Sequence, residues 1–399
     1  MNFPDIVPEP IGDGALLSEL TTMRVGGPAE RLIVARSRED LVDHAIELWE
    51  SGEPWMLLGG GSNTVVSDEG FPGTVLLVRN TGATRITDEA EGSAPGEVRL
   101  RVQAGHDWDS LVAACVDRGW AGVEALSGIP GLAGAAPIQN IGAYGQELSQ
   151  VLHSIEFLDL EQREVRRIPA AELELGYRDS IIKQGLEGVV ISIDLMLTES
   201  REEPVLGAHA EAPARTAEVS YAQLAQALGV ELGDRVPIRQ LRDSVLRLRA
   251  SKGMVLDPND HDSWSSGSFF TNPIVSEKFA RSLPADAPRF PVADADPEPA
   301  ITSLEELAAG TPLRLPGAAP ERTFKLSAAW LIEHSGVTRD FRLPGSGAAI
   351  SSKHTLAITN RGGASAADVA ELARFVVQRV QQEFGVILAP EPNLYGLEL

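Results

Sequence analysis

The chain reads as an α+β protein of more than one domain, and three observations predict this. A strand, a helix, a second strand and a glycine turn follow one another before residue 65, the order of an α/β unit. Two further apolar strand patterns, SIEFLDL and GVVISIDLML, come after a long glycine-rich stretch in the middle of the chain. Helical patterns resume after residue 218 and are expected to begin a separate domain. At 399 residues there is material for two or three domains, each with its own core.

The first element is an apolar strand from Arg31 to Ala35, preceded by Thr21, Thr22, Arg24, Gly26 and Gly27 in TTMRVGGPAE. Ser37 and Asp40 fit a capping box, so a helix follows to about Glu50. It buries Leu41, Ala45 and Leu48, and Gly52 stands where a helix stop is expected. The strand PWMLL then runs into GGGSN, from Gly59 through Gly60, Gly61 and Ser62 to Asn63. This turn is not GxGxxG, so a dinucleotide-binding Rossmann loop is not supported. Its free amides suit a pyrophosphate, and a flexible strand-end turn explains it equally well. EVRLRVQAG, Glu97 to Gly105, alternates as a half-buried strand should. Asp107 to Gly119 reads as a helix with Trp108, Leu111, Val112 and Cys115 inward.

GIPGLAGAAPIQNIGAYG, from Gly128 to Gly145, is too rich in glycine for a helix or strand. Pro130 and Pro137 stiffen it, while the glycines let backbone amides come close to an anion or ring edge. By glycine count alone a tight crossover between core elements is as good a reading. Gln139, Asn140 and Tyr144 add donors, acceptors and a flat face, which favours a binding loop.

GYRDS, Gly176 to Ser180, is turn-like, and Arg178 there is readable as a surface residue paired with Asp179. Residues 200 to 217 shift to Glu, Pro and Ala and read as a linker or edge insertion. VSYAQLAQALG and VPIRQLRDSVLRLRASKG make two helices, the second opened by Pro237 with Ile238, Leu241, Val245 and Leu248 on one side. SSGSFFTNP puts the Ser268 hydroxyl on a turn backed by Phe269 and Phe270. With no histidine in range and no GxSxG elbow, that serine is a proton donor or a structural turn. Residues 283 to 321 form a Pro, Ala, Asp and Glu-rich insertion with a helix expected at 303 to 309. Core pattern resumes at FKLSAAWLIEHSG, then the strand HTLAITN, then a capped helix from Ser365 to Phe384 striped by Val369, Leu372, Val376 and Val380. Near position 390, Glu391 is held between Pro390 and Pro392, which constrains its direction.

The formal charge of −23 argues against non-specific nucleic-acid binding. Gly-Lys never occurs, so a P-loop is absent. Seven scattered histidines without HExxH and a single cysteine leave no metal site expected. No run approaches the roughly twenty apolar residues of a membrane span.

PIQNIGAYG resembles the flavin-binding segment of the UDP-N-acetylenolpyruvoylglucosamine reductases, flavoenzymes that complete UDP-N-acetylmuramate for bacterial cell-wall synthesis. GYRDS, GSFFxNP and the late Glu391 resemble that family in the same order, and the resemblance runs from about Thr22 to Tyr395 outside the two insertions. It implies a FAD-binding fold of the vanillyl-alcohol-oxidase type, made of two α/β subdomains, plus a separate α+β substrate-binding domain. The first subdomain is expected over residues 1–80 and the second over 81–217, with 388–399 returning to the second. The substrate domain is expected over 218–387.

The implied activity is NADPH-dependent reduction of UDP-N-acetylglucosamine enolpyruvate through FAD. Arg178, Ser268 and Glu391 are implied to be catalytic. Gly59, Gly60, Gly61, Ser62, Asn63, Ile129, Pro130, Gly131, Gly134, Gln139, Asn140, Gly142, Ala143 and Tyr144 are implied to hold FAD. Tyr177, Tyr221, Lys252 and Asn272 are implied to hold the substrate. A cytoplasmic monomer that takes a UDP-sugar and NADPH, and neither nucleic acid nor membrane, is expected. Thr271 stands where the family often has lysine, and Pro392 and Asn393 replace its usual Val and basic residue. Another FAD-dependent oxidase or dehydrogenase of the same fold, or a non-catalytic UDP-sugar or flavin-binding protein, is the alternative.

Overall fold

The computed structural model describes residues 14–87, 94–200, 202–203, 214–292 and 322–399. The helix expected at 303–309 and most of the expected 200–217 linker lie outside them. Of that linker, Ala214–Glu218 is a strand paired with Arg235–Pro237.

The first unit is a parallel sheet of β1 (Ala29–Ala35), β4 (Phe71–Val78) and β2 (Trp55–Leu58), with β4 in the centre. Helix α1 (Arg38–Ser51) connects β1 to β2. Ser37 Oγ accepts from the Asp40 amide and the Asp40 carboxylate accepts from the Ser37 amide. At the other end Gly52 takes the left-handed conformation, φ 67°, that ends the helix without a side-chain clash. Leu41, Ala45 and Leu48 of α1 share a cluster with Leu76 and Val78 on one side and Leu158, Val189 and Ile191 on the other. The helix is therefore sandwiched between two sheets.

The second sheet is antiparallel, in the order Glu164–Pro169, Leu152–Asp159, Gly188–Glu199, β6 (Glu97–Gln103), β5 (Ala83–Arg85). Between β4 and β5 on one hand and β1 and β2 on the other, β3 (Thr64–Val66) lies outside both sheets. The alternation expected for β6 fails: Val98, Arg99 and Leu100 are all buried. Arg99 tolerates burial because Asp194, on the neighbouring strand, accepts from Arg99, Arg101 and Arg167 at 2.8–3.1 Å. Burial pushes the Asp194 carboxyl up, but the arginine contacts outweigh it and the net shift is downward. Helix α2 (Trp108–Arg118) is capped by Asp107 and closed by Gly119, and it covers the sheet with Trp108, Leu111, Val112 and Cys115.

Helices α3 (Ala222–Leu228) and α4 (Ile238–Ser251) were expected to open the substrate domain, and the structure places them elsewhere. Leu224, Ala225, Ile238, Leu241 and Val245 join the same core as Trp108, Leu111 and Leu126. The apolar stripe of α4 finds its cover on α2, where Arg242 grips Asp109 through two bonds of 2.7 and 2.8 Å. The next core begins beyond α4. It groups Phe269, Phe270, Leu331, Ile332 and the Ala366–Phe384 helix stripe with Met23, Val25 and Val65 from the start of the chain. The last strand, Asn393–Tyr395, pairs in parallel with β3. It thus returns to the first unit, where the expectation was a return to the second.

Candidate active site

Two glycine loops form one wall of a cavity of about 310 Å³. The first follows β2, where Gly61 (φ 61°) bends so tightly that a Cβ would lie 2.1 Å from the Leu20 carbonyl oxygen. A Cβ on Gly60 would meet Gly131 Cα at 2.8 Å, and one on Gly131 would meet Ser62 Oγ at 2.7 Å. The loops touch because neither carries a side chain there. Asn63 locks the arrangement: its Nδ2 donates to Gln139 Oε1 at 3.3 Å and to the Glu391 carbonyl at 3.2 Å.

GYRDS contributes Arg178 to the lining. Arg178 adopts φ 55°, a conformation that costs free energy in a non-glycine residue. Bonds to the glycine loop hold the turn in place: Ser180 Oγ donates to the Ile138 carbonyl at 2.6 Å, and Asn140 Nδ2 to the Gly176 carbonyl at 3.1 Å. Arg178 does not pair with Asp179, which accepts from Gln184 Nε2 at 2.9 Å. Its Nε instead lies 3.1 Å from Glu391 Oε1. Burial raises the Glu391 carboxyl above the ordinary range, and the nearby Arg178 and Lys183 charges offset this only in part.

The serine turn completes the cavity. Phe269 and Phe270 are fully buried with rings edge to face at 5.1 Å, and the preceding Gly267 adopts φ 77°. The Glu391 amide donates to the Phe269 carbonyl at 2.8 Å and the Thr271 amide to the Ala389 carbonyl at 3.1 Å. The turn and the Pro390–Pro392 segment are thereby laid side by side. Ser266, Gly267 and Ser268 all line the cavity.

Of the residues singled out by sequence, Gly59, Gly60, Gly61, Ser62, Asn63, Ile129, Pro130, Gly131, Gly134, Gln139, Gly142, Arg178, Ser268 and Glu391 line this one space. Asn140 does not. Its amide is occupied by Glu147, Gly176 and the Ser149 N–H, so its side chain braces the loop rather than facing a ligand. Ala143 lies on the short strand Gly142–Ala143, outside the lining. Tyr144 stands in a second group with Tyr221, edge to face at 5.7 Å, and Lys252, whose Nζ is 5.6 Å from the Tyr144 ring. A third group joins Tyr177, whose hydroxyl accepts from Asn272 Nδ2 at 3.2 Å, to Lys325, whose Nζ lies 4.3 Å from the Tyr177 ring.

Comparison with known proteins decides the family. Residues 29–168 match the FAD binding domain model and residues 257–395 the model of the UDP-N-acetylenolpyruvoylglucosamine reductase C-terminal domain. A protein of Leifsonia xyli named UDP-N-acetylenolpyruvoylglucosamine reductase is 56% identical over 97% of this chain and 100% of its own. The chain belongs to the UDP-N-acetylenolpyruvoylglucosamine reductase family. A reductase of the same name from Saccharopolyspora erythraea is 43% identical over 97% of this chain and 96% of its own. The crystal structure of the reductase from Thermus caldophilus shares the fold, with TM-score 0.56 and 24% identity over 96% of this chain and 97% of that one. The C-terminal family model begins at residue 257, beyond α4, in keeping with the change of core seen here.

The reductase cavity fits a flavin dinucleotide. One wall is backbone with the space of missing side chains. Among the buried polar atoms on its lining residues, Arg249 Nε and Ser266 Oγ have no hydrogen-bond partner among the described residues, and Arg178 Nε meets only the Glu391 carboxylate, as an ion pair at 3.1 Å. Arg249, Lys183 and Asn393 line the cavity and were not assigned from sequence. Arg249 was findable, since it stands three positions before Lys252 at the end of the same amphipathic helix. Lys325 lay within the quoted FKLSAAWLI segment, though nothing local connects it to Tyr177. Among the described residues no cluster of His, Cys, Asp or Glu could hold a metal, and no helix is long and apolar enough to cross a membrane.

Proposed function

We propose that this chain reduces UDP-N-acetylglucosamine enolpyruvate to UDP-N-acetylmuramate in peptidoglycan precursor synthesis. The observation that carries the reading is the meeting of Arg178, Glu391 and Ser268 in the space walled by the glycine loops. FAD, when bound, supplies the hydride for the enol double bond and is itself recharged by NADPH. Gly59 to Asn63 offer amides for its diphosphate, and Ile129, Pro130, Gly131, Gly134, Gln139 and Gly142 line the space beside it.

Hydride addition at the β-carbon leaves an electron pair on the α-carbon, conjugated with the substrate carboxylate. Arg178, oriented by Glu391 and by its own strained backbone, stabilises that charge; a group in this role typically contributes roughly 3–4 kcal/mol. Ser268 donates its hydroxyl proton to the α-carbon and recovers one from solvent. A serine hydroxyl is a weak acid, so this transfer works because the receiving carbon is strongly basic. Tyr177, Asn272, Tyr221 and Lys252, in two separate groups outside the cavity lining, hold the UDP-sugar. Burial, then the field of Arg249, lowers the Lys252 ammonium pKa. An arriving diphosphate restores its preference for the charged form. The protein acts as a cytoplasmic monomer.

Anaerobic stopped-flow absorbance on Ser268→Ala tests the assignment. Flavin bleaching by NADPH is expected at the wild-type rate, while recovery with the enolpyruvyl substrate falls about 10²–10⁴-fold. Loss of both phases together would contradict the role given to Ser268. Recovery only on admitting oxygen, in the unsubstituted protein, would point to an oxidase.

A further inference from the structure

The segment Thr22–Arg24 is not itself part of the cavity lining and has no role above, yet it connects the glycine turn after β2 to the serine turn. The Thr22 amide donates to the Gly61 carbonyl at 3.1 Å, in the glycine turn after β2. Its hydroxyl donates to the Ser265 carbonyl at 2.6 Å, three residues before Ser268. One residue thus bridges the first unit and the serine turn, with a contact spanning 243 positions of sequence.

Its neighbours repeat the link. Asn360 Nδ2 donates to the Met23 and Arg24 carbonyls at 3.2 and 3.1 Å, and the Asn360 amide donates to the Trp264 carbonyl at 2.9 Å. The Arg24 guanidinium lies 3.9 Å from the centre of the Trp264 ring, and Arg24 holds φ 55° to bring it there. Gly61 must be glycine for this bracket to sit against its loop, since Leu20 occupies the Cβ position. Downstream, the Gly267 amide donates to Ser265 Oγ at 3.2 Å, which carries the constraint to the residue beside Ser268.

We infer that Thr22 is a positioning residue: it sets the distance between the glycine loop after β2 and the Ser268 hydroxyl, and so the alignment of proton delivery with hydride addition. The inference rests on the proton-donor reading of Ser268. Proton transfer is steep in distance, and a displacement of about 1 Å can cost about 10²-fold. Flavin reduction by NADPH needs no such proton, so the two half-reactions should separate.

The test is anaerobic stopped-flow on FAD-loaded Thr22→Val, Thr22→Ser and Ser268→Ala, side by side. Thr22→Val removes the hydroxyl with little change of shape. It is expected to leave flavin content and the NADPH phase within about twofold of wild type while slowing the substrate phase roughly tenfold or more. Thr22→Ser is expected to restore that phase. Equal slowing of both phases, or no slowing of either, alongside a selective loss in Ser268→Ala, would overturn the inference alone. If Ser268→Ala shows no selective loss, the serine assignment falls and the inference with it. Should Thr22→Val fail to load FAD, Thr22→Cys replaces the hydroxyl with a weakly donating thiol of similar size. A selective slowing of about threefold is then expected, and its absence overturns the proposal.

Discussion

The two parts of the cavity lining are made from different materials. The glycine-loop wall works through backbone: Gly60, Gly61 and Gly131 meet neighbours at distances that no side chain would allow. The other part of the lining works through charged side chains, with Arg178 at positive φ beside a Glu391 whose burial resists ionisation. Backbone amides are fixed in place before any ligand arrives and suit the permanent charge of a dinucleotide. Side chains with perturbed environments suit charge that exists only while bonds are changing. On the proposed reading, binding and reaction thus fall to separate chemistries across one space.

Substitutions in each part should therefore fail in different ways. Arg178→Gln keeps a hydrogen-bonding side chain and removes the charge. We expect turnover to fall by about 10²–10³-fold with FAD content unchanged, as read by steady-state rate and flavin absorbance on the same sample. A parallel loss of FAD would blur the division between the two parts. Gly60→Ala should do the reverse. Its Cβ drives against Gly131 Cα, so FAD affinity should drop by roughly 10–100-fold, while the rate per bound flavin stays near wild type. Fluorescence titration of the apoprotein with FAD would measure this, and unchanged affinity would show that the loops can part freely.

A smaller effect concerns a histidine in the field of Lys252. His354 is driven down to about 4, first by burial and then by the Lys252 and Arg339 charges, with Glu333 opposing. The unfolded chain binds a proton near pH 6.5 that the folded chain refuses. This stabilising contribution is complete above that value and disappears as pH falls toward 4. His354→Gln should remove about 2 kcal/mol of acid sensitivity, allowing for the partial exposure of the ring. Denaturation midpoints across that range would show it, and parallel curves for both proteins would refute the assignment.

Legibility in the sequence followed the same division between local and distant causes. Helix α1 was readable end to end because Ser37, Asp40 and Gly52 act on amides within a few residues. The Ala366–Phe384 helix was readable for the same reason, through Ser365 and Asp368. The burial of Arg99 was not, since its partner Asp194 stands 95 positions away. In α4 the apolar stripe was visible, but not the surface on α2 that covers it. Asn140 shows the limit for site residues. Its type and place in a glycine loop suit a ligand contact, while its amide serves Glu147, Gly176 and Ser149. Proline on both sides of Glu391 announced a constrained carboxylate, and only the fold could reveal Arg178 as its neighbour.

The bond from Asn63 to the Glu391 carbonyl closes a span of 328 positions. Contacts so distant form after the entropy of a very long loop has been lost, and domains made first during synthesis fold first. The glycine loops, Gly59–Asn63 and Gly128–Gly145, leave the ribosome long before the carboxylate that faces Arg178. On the proposed reading, a nascent chain therefore carries the loops assigned to the cofactor well before the carboxylate that pairs with Arg178.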